Sequence, residues 1–126
     1  MAKEEKNVYT YQTEGNLGSV KITEEVIAII AGLGAMEVEG VSSMAGSSSR
    51  QIFAKLGYKT LSKGVHIEIE NDEVKVVLSI NLKYGYNLKE ISSKIQEKVK
   101  TTLENMTGLI VSEVDIRIAG VDMEEA

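Results

Sequence analysis

A chain of 126 residues, 43% of them hydrophobic and 26% charged, is long enough to bury a core of its own and reads as one globular domain. With no Cys and a net charge of −5, it excludes a disulfide framework, a thiolate metal site and a cysteine nucleophile, and it speaks against nucleic-acid binding by the molecule as a whole. The longest apolar run, residues 26–36, covers about half of the ~20 residues of a membrane helix, and the opening residues do not read as a signal peptide, so the expected location is cytoplasmic.

Residues 1–16 are polar and mixed in charge, with Tyr9 and Tyr11 as their aromatics, and read as a flexible N-terminal tail. A short strand is expected at 18–22. Thr23 then makes a good N-cap: Glu24 and Glu25 follow in the first turn, where carboxylates suit the positive end of the helix dipole, and Ile22 can staple to Ile27. The helix is expected over 24–39, with Gly40 as its stop. Val26, Ile27, Ile29, Ile30, Leu33 and Met36 cover a wide arc of it, and Ala28, Ala31, Gly32, Gly34 and Ala35 add small surface, which points to burial on more than one side.

The Ser- and Gly-rich stretch 42–49 reads as a flexible connection, and 51–61 as a short helix with Ile52, Phe53 and Leu56 inward. The next segment is better determined. Val65, Ile67 and Ile69 alternate with His66, Glu68 and Glu70, and the alternation resumes at Val74, Val76, Leu78, Ile80, Leu82 and Tyr84. A turn at Asn71 and Asp72 sets Ile69 opposite Val74, Ile67 opposite Val76, Val65 opposite Leu78 and, on the polar face, Glu68 opposite Lys75. Asn87 caps the following helix, with Glu90 as capping-box partner and Tyr86 and Ile91 as staple. Leu88, Ile91, Ile95, Val99, Leu103 and Met106 form an apolar stripe that ends at Gly108. A last strand spans 110–118, with Val114, Ile116 and Ile118 inward and Glu113, Asp115 and Arg117 outward, before an acidic tail at 122–126. This order specifies an α+β two-layer sandwich over 17–121: a small mixed sheet with a central hairpin and helices on one face. The other face is left to solvent or to a partner.

The chemistry is sparse. His66 is the only imidazole, falls on the polar face and lacks a second histidine or a cysteine for a relay, so it reads as a solvated surface group. Glu24, Glu25 and Glu90 have work at helix starts, while Glu68, Glu70 and Glu73 alternate on a hairpin rather than converging in a cleft. Gly32 and Gly34 lie inside a helix and lack the Lys-Ser/Thr of a phosphate loop, so close helix packing explains them. Gly15 to Gly18 has the spacing of an RNA-clamping GxxG but no adjacent base, and reads as a turn. No catalytic, cofactor or metal site is assigned, and the expectation is a protein without enzymatic activity.

One surface stands out. No acid occurs from Gly40 through Ile67, where Arg50, Lys55, Lys59 and Lys63 fall. Four such charges near an anionic bilayer contribute about 4 kcal/mol, a millimolar affinity, enough for peripheral contact by an oligomer or a tethered protein but not to anchor a monomer. These residues are the interaction candidates.

The runs Leu17-Gly18-Ser19-Val20-Lys21-Ile22, Glu25-Val26-Ile27 through Ala31-Gly32, Glu37-Val38-Glu39-Gly40-Val41, Lys63-Gly64-Val65, Tyr84-Gly85 and Asn105-Met106-Thr107-Gly108-Leu109 together resemble the alkaline shock protein family of Gram-positive bacteria. The resemblance covers residues 17–121. It implies a non-enzymatic cytoplasmic protein tied to cell-envelope homeostasis and stress, held at the inner face of the membrane through a membrane-anchored protein partner in some members and linked to fatty-acid metabolism in others. No catalytic residue comes with it. The leading expectation is therefore an interaction or scaffold protein that forms homo-oligomers and binds neither cofactor nor nucleic acid. A small-ligand or fatty-acyl binder is the alternative, and a nucleic-acid binder, disfavoured by the net charge of −5, a weaker one.

Overall fold

The protein is described by a computed structural model that covers residues 8–12, 15, 17–45 and 57–123. Strand β1 (Val8–Gln12) pairs antiparallel with β2 (Ser19–Thr23), from Val8 opposite Thr23 to Gln12 opposite Ser19. Part of the expected tail is thus a strand. Tyr9 of this strand and Ile22 of its partner pack against the core.

Thr23 caps helix α1 (Glu24–Met36), its Oγ1 accepting from the Val26 amide at 3.2 Å. The helix stops at Met36, short of the expected 39, because Glu37 and Val38 turn back onto Leu33, Gly34 and Ala35 carbonyls. Gly40 then takes φ +103°, and a Cβ there would lie 2.5 Å from Ile91 Cδ1. The face of α1 that is buried is the small-residue face, Ala28, Ala31, Gly32, Gly34 and Ala35, together with Ile27. Its larger side chains, Ile29, Ile30, Leu33 and Met36, are only half-buried. Small residues let neighbouring elements come close: a Cβ on Gly32 would meet Leu61 at 3.0 Å, and one on Gly34 would meet Thr102 at 3.6 Å.

Strand β3 (Val41–Met44) lies where the serine-rich connection was expected to begin. Val41 and Met44 are buried, and the strand pairs with residues 80–82. A 3₁₀ helix (Gly57–Gly64) covers the end of the segment expected to be helical, with Leu61 buried; the rest of that segment, with Ile52, Phe53 and Leu56, lies outside the described residues. β4 (Val65–Glu70) and β5 (Glu73–Lys83) form the hairpin, with Val65–Leu78, Ile67–Val76, Glu68–Lys75 and Ile69–Val74 in register as expected. Asn71 and Asp72 both take positive φ, 56° and 67°, the left-handed pair that a two-residue hairpin turn requires. The strand ends at Lys83, so Tyr84 is exposed in the next turn instead of facing the core.

Asn87 Oδ1 accepts from the Glu90 amide at 2.9 Å and opens helix α2 (Leu88–Thr107), which ends on left-handed Gly108. The buried stripe is Ile91, Ile95, Val99, Leu103 and Thr107; the expected ends, Leu88 and Met106, are 48% and 65% exposed. Thr107 can be buried because its hydroxyl donates to the Leu103 carbonyl and accepts from the Leu109 amide. β6 (Ile110–Asp122) returns parallel to β5 along its whole length, with irregularities at Ser112 and Ala119.

Since β6 takes one edge of β5, β3 and β4 share the other, end to end. The result is a mixed sheet centred on β5, whose Val74, Val76, Leu78, Ile80 and Leu82 are fully buried. Both helices lie on that face, and the α+β two-layer expectation holds.

Candidate functional site

The strand period of two sends the alternate residues of β5 to the opposite, uncovered face of the sheet. There Lys75 stands between Glu68 of β4 and Glu113 of β6, and its Nζ lies 3.9 Å from Glu113 Oε1. In the next row Val77 is flanked by His66 and Asp115. His66 Nε2 is 3.3 Å from Glu68 Oε2, and both side chains are exposed. Ser79 follows beside Arg117, and Asn81 donates to Ser43 Oγ at 3.0 Å. Ser42 Oγ donates to Asp122 Oδ2 at 2.7 Å, tying β3 to β6 across the end of this face.

These rows enclose a shallow depression of about 790 Å³, lined by Lys63, His66, Glu68, Lys75, Val77, Ser79, Asp115 and Arg117 together with Ala45, Gly64 and Val65. Gly64 permits it: a Cβ there would sit 2.7 Å from the Ser79 carbonyl oxygen and 3.0 Å from that of Ala45. The chain can therefore rejoin the sheet edge at Val65 and carry Lys63 to the rim. Of the interaction candidates, Lys63 alone is placed in full. Lys59 lies in the 3₁₀ helix by its backbone, and Arg50 and Lys55 lie outside the described residues. What was missed from sequence is that the 3₁₀ helix delivers Lys63 onto the same face as Lys75 and Arg117, a juxtaposition with no local signature.

The depression and its border carry cations and carboxylates interleaved, three of each: Lys63, Lys75 and Arg117 against Glu68, Asp115 and, beside Lys75, Glu113. A near-neutral mosaic of this kind gives little attraction to a uniformly anionic bilayer and suits a protein surface of mixed charge. Two further depressions lie on the helix side, one between Val38, Glu39 and α2 and one between α2 and β6. Both are open and bordered by charged groups, a poor lining for an acyl chain. Among the described residues, no three His, Cys, Asp or Glu side chains converge to hold a metal ion, and no helix is long and apolar enough to cross a membrane.

Comparison with known proteins adds the following. Residues 12–123 match the profile of a family described as alkaline shock protein 23, cell envelope-related function. YqhY of Bacillus subtilis (strain 168) is 32% identical over 109 residues, 86% of this chain and 81% of that protein. YloU of the same organism is 31% identical over 106 residues, 82% and 88% of the two chains. Spy1535 of Streptococcus pyogenes serotype M6 is 30% identical over 110 residues, 86% and 83%.

Proposed function

Since the chain belongs to the alkaline shock protein 23 family, whose function is related to the cell envelope, we propose that it is a non-enzymatic interaction module of the Gram-positive cytoplasm. It supports envelope homeostasis under stress by docking its open sheet face on a protein partner at the membrane. The observation that carries this reading is the one-sided sheet: helices bury one face, while the other displays charges of both signs set in rows around the Lys63–Arg117 depression, Lys75 beside Glu113 among them. Charges held in rows by strand register give a partner a fixed template, which favours specificity over raw affinity. A membrane-anchored protein fits better than lipid alone, because Lys63, Lys75 and Arg117 are matched on this face by Glu68, Glu113 and Asp115, which leaves no net positive charge to hold a bilayer.

The test replaces Lys63 and Lys75 together by Gln, which leaves both backbones and the buried core unchanged. The double variant is expected to fold with an unaltered denaturation midpoint and to lose about tenfold or more of its recruitment to the envelope, scored by fractionation of cells. Recruitment equal to that of the parent chain would remove this face from the account.

A further inference from the structure

β6 is an edge strand, and its outer edge is treated differently along its length. At its start, α2 side chains take the place of a neighbouring strand: Glu104 Oε2 accepts from the Val111 amide at 3.0 Å, Lys100 Nζ donates to the Val111 carbonyl at 3.3 Å, and Gln96 Nε2 donates to the Val114 carbonyl at 2.9 Å. Ile116 and Ile118 follow Val114 at steps of two, so their amide and carbonyl groups point to the same outer edge. Among the described residues no strand pairs there. The stretch from Glu113 to Ile118 runs in unbroken register, between the irregularities at Ser112 and Ala119. Ile118 is opposite the fully buried Ile80, yet it is 36% exposed. A partly exposed apolar side chain on a regular, unpaired edge strand is what natural sheets avoid, unless the edge is used.

We propose that this edge pairs antiparallel with the same strand of a second copy, centred on Ile116, joining the two sheets into one. The charge pattern selects that centre. A two-fold antiparallel pair must be centred on a residue for outward-pointing groups to meet. Centred on Arg117 it would oppose two arginines, and centred on Asp115 two aspartates. Centred on Ile118 it would set Arg117 opposite the partner's Ala119, at the irregularity. Centred on Ile116, Asp115 faces the partner's Arg117, and Arg117 faces the partner's Asp115, giving two ion pairs on the open face. On the core side Ile116 meets the partner's Ile116 and Val114 meets the partner's Ile118, which covers the exposed isoleucine. Val114 keeps its Gln96 bond, since a carbonyl oxygen has two lone pairs. The dimer would present two open faces side by side, and paired docking sites multiply weak contacts.

Sedimentation of the full chain over a range of concentrations tests this. A monomer–dimer equilibrium is expected, with Asp115→Arg and Arg117→Asp each raising the dissociation constant about tenfold or more, because each turns two attractions into two repulsions. Asp115→Arg combined with Arg117→Asp restores opposite charges across the pair and is expected to recover the parent constant. Amide exchange of the unmodified chain gives a second measurement that needs no variant: Ile116 and Ile118 are expected to exchange more slowly as concentration rises. A chain that stays monomeric to millimolar concentration overturns the proposal, as does a dimer indifferent to both single reversals, a double variant as weak as the singles, or exchange at Ile116 and Ile118 that does not depend on concentration.

Discussion

Gly64 shows how one residue can set a surface. It sits where β3 has left the edge of β5 and β4 joins it, and the Ala45 amide donates to the Ser79 carbonyl at 2.9 Å beside it. A methyl group at Gly64 would come within 2.7 Å of that carbonyl oxygen and near 3 Å of the Ala45 backbone. Backbone cannot rotate away as a side-chain tip can. Gly64→Ala is therefore expected to destabilise the fold by about 1–3 kcal/mol, measured as a lowered denaturation midpoint, whereas an unchanged midpoint would mean that the junction has room. Residues of this kind are illegible in sequence because the contact spans elements far apart in the chain. Those that act within four residues are readable: Thr23, Asn71, Asp72, Asn87 and Gly108 each do what their local chemistry requires. Thr107 is a mixed case, its hydroxyl locally satisfied but its burial set by the sheet beneath it.

At the scale of elements, α2 and β6 are joined through Glu104, Lys100 and Gln96, a step of four that puts all three on the helix flank facing the strand. Glu104 is the centre of this seam. Its carboxylate is held below the ordinary glutamate range first by the hydrogen bond from Lys100 and then by the Val111 amide. A carboxyl whose folded value is depressed stabilises the fold fully above its unfolded value, and that contribution fades as pH falls through the folded value. Acidification through and below the ordinary glutamate range is therefore expected to lower stability partly through this group. Glu104→Gln should be less stable than the parent at pH 7 and show a shallower loss on acidification, followed by denaturant titration at several pH values; parallel acid limbs for the two proteins would remove Glu104 from the seam. Hairpin β4–β5 and both helices were legible because period and turn chemistry agree there. β1 and β3 were not: five residues of an amphipathic ribbon and four residues opening a serine-rich stretch carry too little pattern, and their strands exist because β2 and β5 offer them an edge.

The molecule as a whole is a sheet with one committed face. The helices cover β5 so thoroughly that its inward side chains are wholly buried, while the opposite face keeps Lys63, Lys75 and Arg117 interleaved with Glu68 and Asp115. The one-sidedness was legible from the alternation of β4, β5 and β6; the arrival of Lys63 at that face was not, since it depends on how the chain leaves β3 and returns through the 3₁₀ helix. The claim that this face is where the protein meets its partner is tested most directly by photo-crosslinking in cells, with the reactive side chain placed at Val77 on the open face or at Lys94 on the exposed flank of α2. The account predicts a discrete adduct with another protein from position 77, weakened when Lys63 and Lys75 are replaced by Gln, and none from position 94. An adduct from position 94 with none from position 77 would contradict it.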